Sequence, residues 1–210
     1  MSDVPAIWDD VYGRFDEADL PWTGIDFPPQ LQDILATLPR HRRLIVTGCG
    51  TGFTVERMRH LGFGNLVGAD VSMKAIIRAR QSYPGCHFIH AATEEFPAVL
   101  PERANILDWM VLHHVTPCDL ASYLGVFSSL AETICLAYPY DPVRPERQSG
   151  VKAEGAVYSH CPRNIAMLLP THRLLVSTLF EFTLNGRFNP AAARQPAQFL
   201  CFERGHDIER

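Results

Sequence analysis

The sequence predicts a three-layer α/β fold in which a mostly parallel, seven-stranded sheet lies between helices and ends in a C-terminal antiparallel β-hairpin. Three observations predict it. Short β-type runs alternate with helically periodic segments, a glycine-rich turn joins the first run to a helix, and the last two runs are separated by turn residues alone. A chain of 210 residues can bury one sizeable core, so one domain is expected over 1–210. Within it, residues 1–40 read as an N-terminal helical or lid segment, 41–138 as the sheet core, and 139–210 as a loop followed by the terminal hairpin.

The first strand is predicted at RLIVT (43–47). The helix after it, FTVERMRHLG, repeats Val55, Met58 and Leu61 at helical spacing, with Gly62 as its stop. NLVGAD (65–70) is the second strand, and Ser72 then caps the helix SMKAIIRARQSYPG, which Pro84 and Gly85 end. CHFIHA (86–91) and ANILDWMV (104–111) are the third and fourth strands. Thr116 and Pro117 are expected to open the next helix, one as a capping hydroxyl and the other as a proline in the first turn. TICLAY (133–138) is the fifth strand. PYDPVRPERQSGVKAEGAVYSHCPRN, rich in Pro, Gly and charge, reads as a long loop with RPERQ facing solvent. A short helix around NIAMLLP precedes the hairpin runs HRLLVSTLFEFTL (172–184) and AQFLCFER (197–204).

Composition narrows the function classes. Hydrophobic residues make up 47% and charged residues 20%, and no apolar run approaches the roughly 20 residues of a membrane span. The acidic, aromatic leader lacks a basic stretch followed by an apolar one, so a cytoplasmic protein is expected. A net charge of −4 without a Lys/Arg block argues against nucleic acid and for a small-molecule partner, with the chain a monomer or homodimer. The six cysteines form no CxxC pair, which indicates neither a disulfide framework nor a metal site.

The most specific local feature is RLIVTGCGTGF, where Gly48, Gly50 and Gly52 alternate with Cys49 and Thr51 between a strand and a helix. Glycines there permit a tight turn and close approach of a ligand, and the helix start offers unpaired amides. Asp70 ends the next strand 18 residues beyond Gly52, near the offset of a ribose-binding acid. A helix-start or turn acid is the alternative reading. Dinucleotide-binding loops usually carry a third glycine where this chain has Phe53, which disfavours a nicotinamide cofactor.

With GCGTG and Asp70 in this context, residues 40 to 138 resemble class I S-adenosylmethionine-dependent methyltransferases, small-molecule type, with a Rossmann-like sheet. LDWMVLHHV is similar to the fourth-strand segment of that family, and the N-terminal aromatic segment to its lids. The resemblance implies S-adenosyl-L-methionine as cofactor, cradled by Gly48, Cys49, Gly50, Thr51 and Gly52. It implies that Asp70 holds the ribose, that Val71, Ser72, Ala92 and Thr93 flank the adenine, and that Asp108 and Trp22 contact the cofactor. Two positions depart from the family pattern: Val46 stands where an acid commonly precedes the glycines, and Ala92 where an adenine-binding Asp is frequent.

The resemblance also implies a catalytic set of His113, Asp108 and Tyr12. A histidine titrates near neutrality and suits a general base, and His113 with Tyr12 corresponds to a pair used by phospho-base methyltransferases. Packing or hydrogen bonding by His113 and His114, and a buried capping role for Asp108, are the alternatives. Trp8, Tyr12 and Trp22 read as either core anchors or an aromatic cover for a sulfonium. Tyr138, Tyr140, Tyr158 and His160 flank the long loop as pocket or packing residues. The implied activity is methyl transfer to an O, N or S acceptor; a methyltransferase-fold protein that binds without turnover is the rival.

Overall fold

The computed structural model describes residues 4–16, 19–20, 22, 25–143, 150–152, 155–183 and 194–205. Two helices, α1 (Val4–Arg14) and α2 (Pro29–Thr37), precede the sheet. The alternating core follows as β1 (Leu44–Thr47), α3 (Phe53–His60), β2 (Leu66–Asp70), α4 (Met73–Ser82), β3 (Phe88–His90), α5 (Phe96–Val99), β4 (Ala104–Trp109), α6 (Leu120–Leu130) and β5 (Ala131–Pro139). A small hairpin, β6 (Gly150–Lys152) and β7 (Gly155–Val157), then leads to α7 (Pro162–Met167), β8 (His172–Phe182) and β9 (Gln195–Arg204).

Seven strands pair in the order β3-β2-β1-β4-β5-β9-β8, parallel except where β9 runs antiparallel to both β5 and β8. The expected hairpin is therefore present, with β9 rather than β8 against the parallel core. Between β1 and β4 the strand order reverses, and in open α/β sheets ligands bind outside the strand C-termini at such a point. β1, β2 and β4 are buried along their whole length, as expected of strands covered on both faces. One face packs Val46, Leu107 and Phe199 against Leu31, Val55 and Ile76. The other packs Ile45, Ile106 and Leu136 against Leu124, Phe127 and Ile165.

Two local expectations change. Thr116 and Pro117 lie in a turn rather than at the start of α6, which begins at Leu120. Thr116 Oγ1 nevertheless accepts from the Asp119 N–H and donates to the Asp119 carboxylate, and the Thr116 carbonyl accepts the Leu120 N–H at 3.0 Å, so the hydroxyl caps the turn from which α6 grows. The long loop after β5 is interrupted by the β6–β7 hairpin, whose register pairs Gly150 with Val157. RPERQ and most of the turn between the hairpin runs lie outside the described residues. Among the described residues, no helix is long and apolar enough to cross a membrane.

Candidate active site

Glycine is demanded in the β1–α3 turn by conformation and by space. Gly48, Gly50 and Gly52 have φ of 51°, 54° and 92°, a region where a Cβ is penalised. A Cβ on Gly48 would stand 2.5 Å from Val111 Cγ2, and one on Gly50 would stand 2.6 Å from Tyr12 Oη. The turn is thus pressed from one side by the segment after β4 and from the other by α1. Cys49 and Thr51 are buried within it, and burial pushes the Cys49 thiol well up, leaving it a packing residue.

Asp70 ties the glycine turn to the end of β2. One carboxylate oxygen accepts the Gly50 N–H at 2.8 Å and the other the Ser72 N–H at 2.8 Å. The group is 6% exposed, and burial raises its pKa to about 6 despite both bonds. A carboxylate has about four acceptor sites, so two N–H donors leave capacity for hydroxyl donors. Ser72 itself is the N-cap of α4, its Oγ accepting from the Ala75 N–H at 3.1 Å. Val71 lends its carbonyl to His90 Nε2 at 2.9 Å. The Ala92 N–H donates to Glu95 Oε2 at 2.7 Å, and Thr93 opens the short turn after it.

The N-terminal helix α1 lies over this edge. Asp9 accepts from Ser72 Oγ at 2.6 Å and from the Lys74 N–H at 3.1 Å, which fastens α1 to the start of α4. Tyr12 and Val11 are buried with Leu20 and Ala75, and Trp8, Phe15 and Trp22 pack around them. Trp8, Tyr12 and Trp22 form a triangle with ring centroids 5.8 to 6.2 Å apart. The acidic leader had no sequence signal marking Asp9 as the fastening residue, because its partner is 63 positions away.

Asp108 is fully buried, and its surroundings support the hydrogen-bonding alternative rather than ligand contact. It accepts from Thr47 Oγ1 at 3.2 Å, Tyr123 Oη at 2.6 Å and the Leu112 N–H at 3.0 Å. Burial raises its pKa to about 6 and, together with the facing carboxylate, pushes the Tyr123 hydroxyl well up. Tyr123 went unnoticed in the sequence because its helix reads as an ordinary amphipathic one. Directly after β4, Met110 adopts a φ of 60°, the sole non-glycine positive φ among the described residues, and its N–H reaches the Ala137 carbonyl at 2.7 Å. Such strain persists where surrounding contacts over-determine it, and it clusters at ligand sites. It aims the following turn, Leu112–His114, across the strand ends.

In that turn His113 is buried, with its ring centroid 3.9 Å from that of His114. His114 meets Trp8 edge-on at 4.8 Å, which connects the turn to α1 and through it to Tyr12. On its far side the His113 carbonyl accepts the Tyr158 N–H at 2.7 Å, and His160 Nε2 donates to the Val115 carbonyl at 3.0 Å. A cleft of about 370 Å³ opens there between the start of α6 and α7, with His160 in its wall. Tyr138 is instead buried under the sheet, whereas Tyr140 packs at its edge. Among the described residues, no three His, Cys, Asp or Glu side chains are grouped to hold a metal ion.

A family model described as a methyltransferase domain matches residues 45–132. No protein in a search of curated proteins matches the sequence. Solved structures match its fold along almost the whole chain. One, from work on the conversion of a disulfide bond into a thioacetal group during echinomycin biosynthesis, has a TM-score of 0.74 at 18% identity, covering 97% of this chain and 94% of its own. A SAM-dependent methyltransferase from Anabaena variabilis ATCC 29413 has a TM-score of 0.73 at 13% identity, with 98% and 96% covered. Magnesium protoporphyrin IX methyltransferase from Synechocystis PCC 6803, with bound SAM, has a TM-score of 0.66 at 16% identity, with 98% and 99% covered. Residues 45–132 thus match a methyltransferase-domain model, and the chain has a Rossmann-like methyltransferase fold.

Proposed function

We propose that this protein is an S-adenosylmethionine-dependent methyltransferase acting on a small-molecule O, N or S acceptor. The observation that carries the reading is the 2.8 Å bond from the Gly50 N–H to Asp70, which joins the two sequence elements of a nucleoside site in one contact. The residues present fit the cofactor: Asp70 is a buried carboxylate short of donors, and the vicinal hydroxyls of a ribose supply them. Gly48 to Gly52 would hold the cofactor's methionine end against bare backbone, Val71, Ser72, Ala92 and Thr93 would border the adenine, and Tyr12 from α1 with Trp22 from the segment after it would cover the site. Val46, 1% exposed in β1, offers no charge to the ammonium, which leaves backbone carbonyls of the glycine turn to receive it.

When bound, the cofactor supplies an electrophilic methyl on a sulfonium. The protein's part would be alignment, because holding an acceptor close to that methyl supplies much of the rate by itself. The aromatic triangle over Gly50 suits positive charge and excludes water. His113 takes the proton that an O, N or S acceptor loses as the new bond to carbon forms. Asp108 acts one layer below, positioning Thr47 and the Leu112 N–H and so the turn that carries His113. All six cysteines are free, as suits a reducing compartment, and we assign the protein to the cytoplasm.

Calorimetric titration with S-adenosylhomocysteine, paired with transfer of labelled methyl groups to a panel of small acceptors, tests the reading. Binding with turnover is the expected result. Folded protein that binds the product cofactor but methylates nothing would support the alternative of a methyltransferase-fold protein that binds the cofactor or a partner without turnover, and absence of binding would sink the enzyme reading.

A further inference from the structure

The cleft between α6 and α7 lies across the Leu112–His114 turn from the glycine loop. One side of that turn touches α1 through His114 and Trp8, and the other receives Tyr158 at the His113 carbonyl and His160 at the Val115 carbonyl. Pro117, Leu120, Met167 and Leu168 give the cleft apolar walls, while Asn164 and His160 supply polar atoms. Its volume of about 370 Å³ is that of a metabolite-sized site. No Lys, Arg, Asp or Glu is among the described residues that line it.

We propose that this cleft holds the body of the methyl acceptor, and that the acceptor is an uncharged, mostly apolar small molecule bearing a hydroxyl or amide-type group. The proposal rests on the methyltransferase reading for the word acceptor, but not for the binding site itself. A carboxylate or phosphate entering the cleft meets no cation among the described residues that line it, which disfavours anionic ligands there. Burial holds the His160 pKa below its ordinary value, so the imidazole is neutral at pH 7 and provides no positive charge either. Its Nε2–H is spent on the Val115 carbonyl, which can only accept. Asn164, exposed on α7, offers both a donor and an acceptor, the complement of a hydroxyl or amide that does the same.

The test uses p-cresol and its anionic counterpart p-toluate as probes of the full-length protein, followed by amide chemical shifts with and without S-adenosylhomocysteine. Saturable shifts across residues 159–168 with p-cresol, and at least about tenfold weaker binding of p-toluate, are expected. Asn164→Leu should weaken p-cresol binding about fivefold by removing one hydrogen-bonding group. Met167→Glu should weaken p-toluate further by adding a like charge. Both residues are exposed, so neither change threatens the fold, and both variants should bind S-adenosylhomocysteine like the wild type. Shifts located elsewhere, equal binding of the two probes, or an Asn164→Leu variant that binds p-cresol normally would each overturn the proposal. Cleft shifts in a protein that gives no heat with S-adenosylhomocysteine would keep the binding site and overturn the cofactor reading instead.

Discussion

Replacing Asp108 by Ala removes the acceptor shared by three buried donors: Thr47 Oγ1, Tyr123 Oη and the Leu112 N–H. Each buried donor left without a partner costs about 1–3 kcal/mol. The Leu112 N–H is fixed by the backbone and bears its full cost, whereas the hydroxyls of Thr47 and Tyr123 can turn towards one another and recover part of theirs. The sum is roughly 3–5 kcal/mol, which for a chain of this size lowers Tm by about 10 °C. Tyr123→Phe removes one donor and the group that would be orphaned with it, so it should cost only about 1–2 kcal/mol. In the double variant Asp108→Ala/Tyr123→Phe the Tyr123 hydroxyl is no longer there to be stranded, and the loss should fall short of the sum of the single losses. Urea denaturation of the four proteins measures this cycle, and calorimetry with S-adenosylhomocysteine runs beside it. An Asp108→Ala protein within about 1 kcal/mol of wild type that has lost more than tenfold in cofactor affinity would refute the positioning role. It would make Asp108 a direct ligand contact.

The same residue predicts a pH dependence. Its folded pKa of about 6 lies above the unfolded value of 3.8, so its favourable contribution is fully present below about pH 3.8 and is lost as pH rises through 6. Between pH 5 and pH 8 the loss amounts to roughly 1.4 kcal/mol. The stability difference between wild type and Asp108→Asn should move in favour of the Asn variant by about that amount over this interval; parallel curves would show that Asp108 titrates normally. Asp70→Asn, which weakens charge-assisted bonding to hydroxyls, should reduce S-adenosylhomocysteine affinity about tenfold or more, and an unchanged titration would remove Asp70 from the ribose site. Gly50→Ala sets a Cβ 2.6 Å from Tyr12 Oη at a φ of 54°, so it should destabilise by about 1–3 kcal/mol. Adding Tyr12→Ala relieves the overlap but not the dihedral strain, and should not restore the glycine protein's cofactor affinity. His113→Ala should lower kcat with little change in cofactor affinity, a lost proton acceptor being worth about a hundredfold or more, and a kcat left intact would assign His113 to packing.

The alternation of β-runs and helices, the GCGTG turn, Asp70 as the end of β2 and the Ser72 cap were legible in the sequence because each is written within a few neighbouring residues. Periodicity, glycine placement and a capping hydroxyl report local backbone geometry directly. The terminal pair of strands was legible for the same reason, although only tertiary pairing placed β9 between β5 and β8. Asp108 illustrates the opposite case. Its position at a strand end marks it equally as a ligand contact or a buried acceptor, and only the arrival of Thr47 from β1 and Tyr123 from α6 settles its surroundings. The fastening of α1 by Asp9 to Ser72, the left-handed Met110 and the cleft beside His160 also depend on segments far apart in the chain. By itself, then, the sequence determined the sheet architecture and the glycine turn with Asp70 at the end of the next strand, both encoded locally. Tertiary structure alone decided which side chains meet across that edge, because those contacts join residues whose separation along the chain carries no periodic signal.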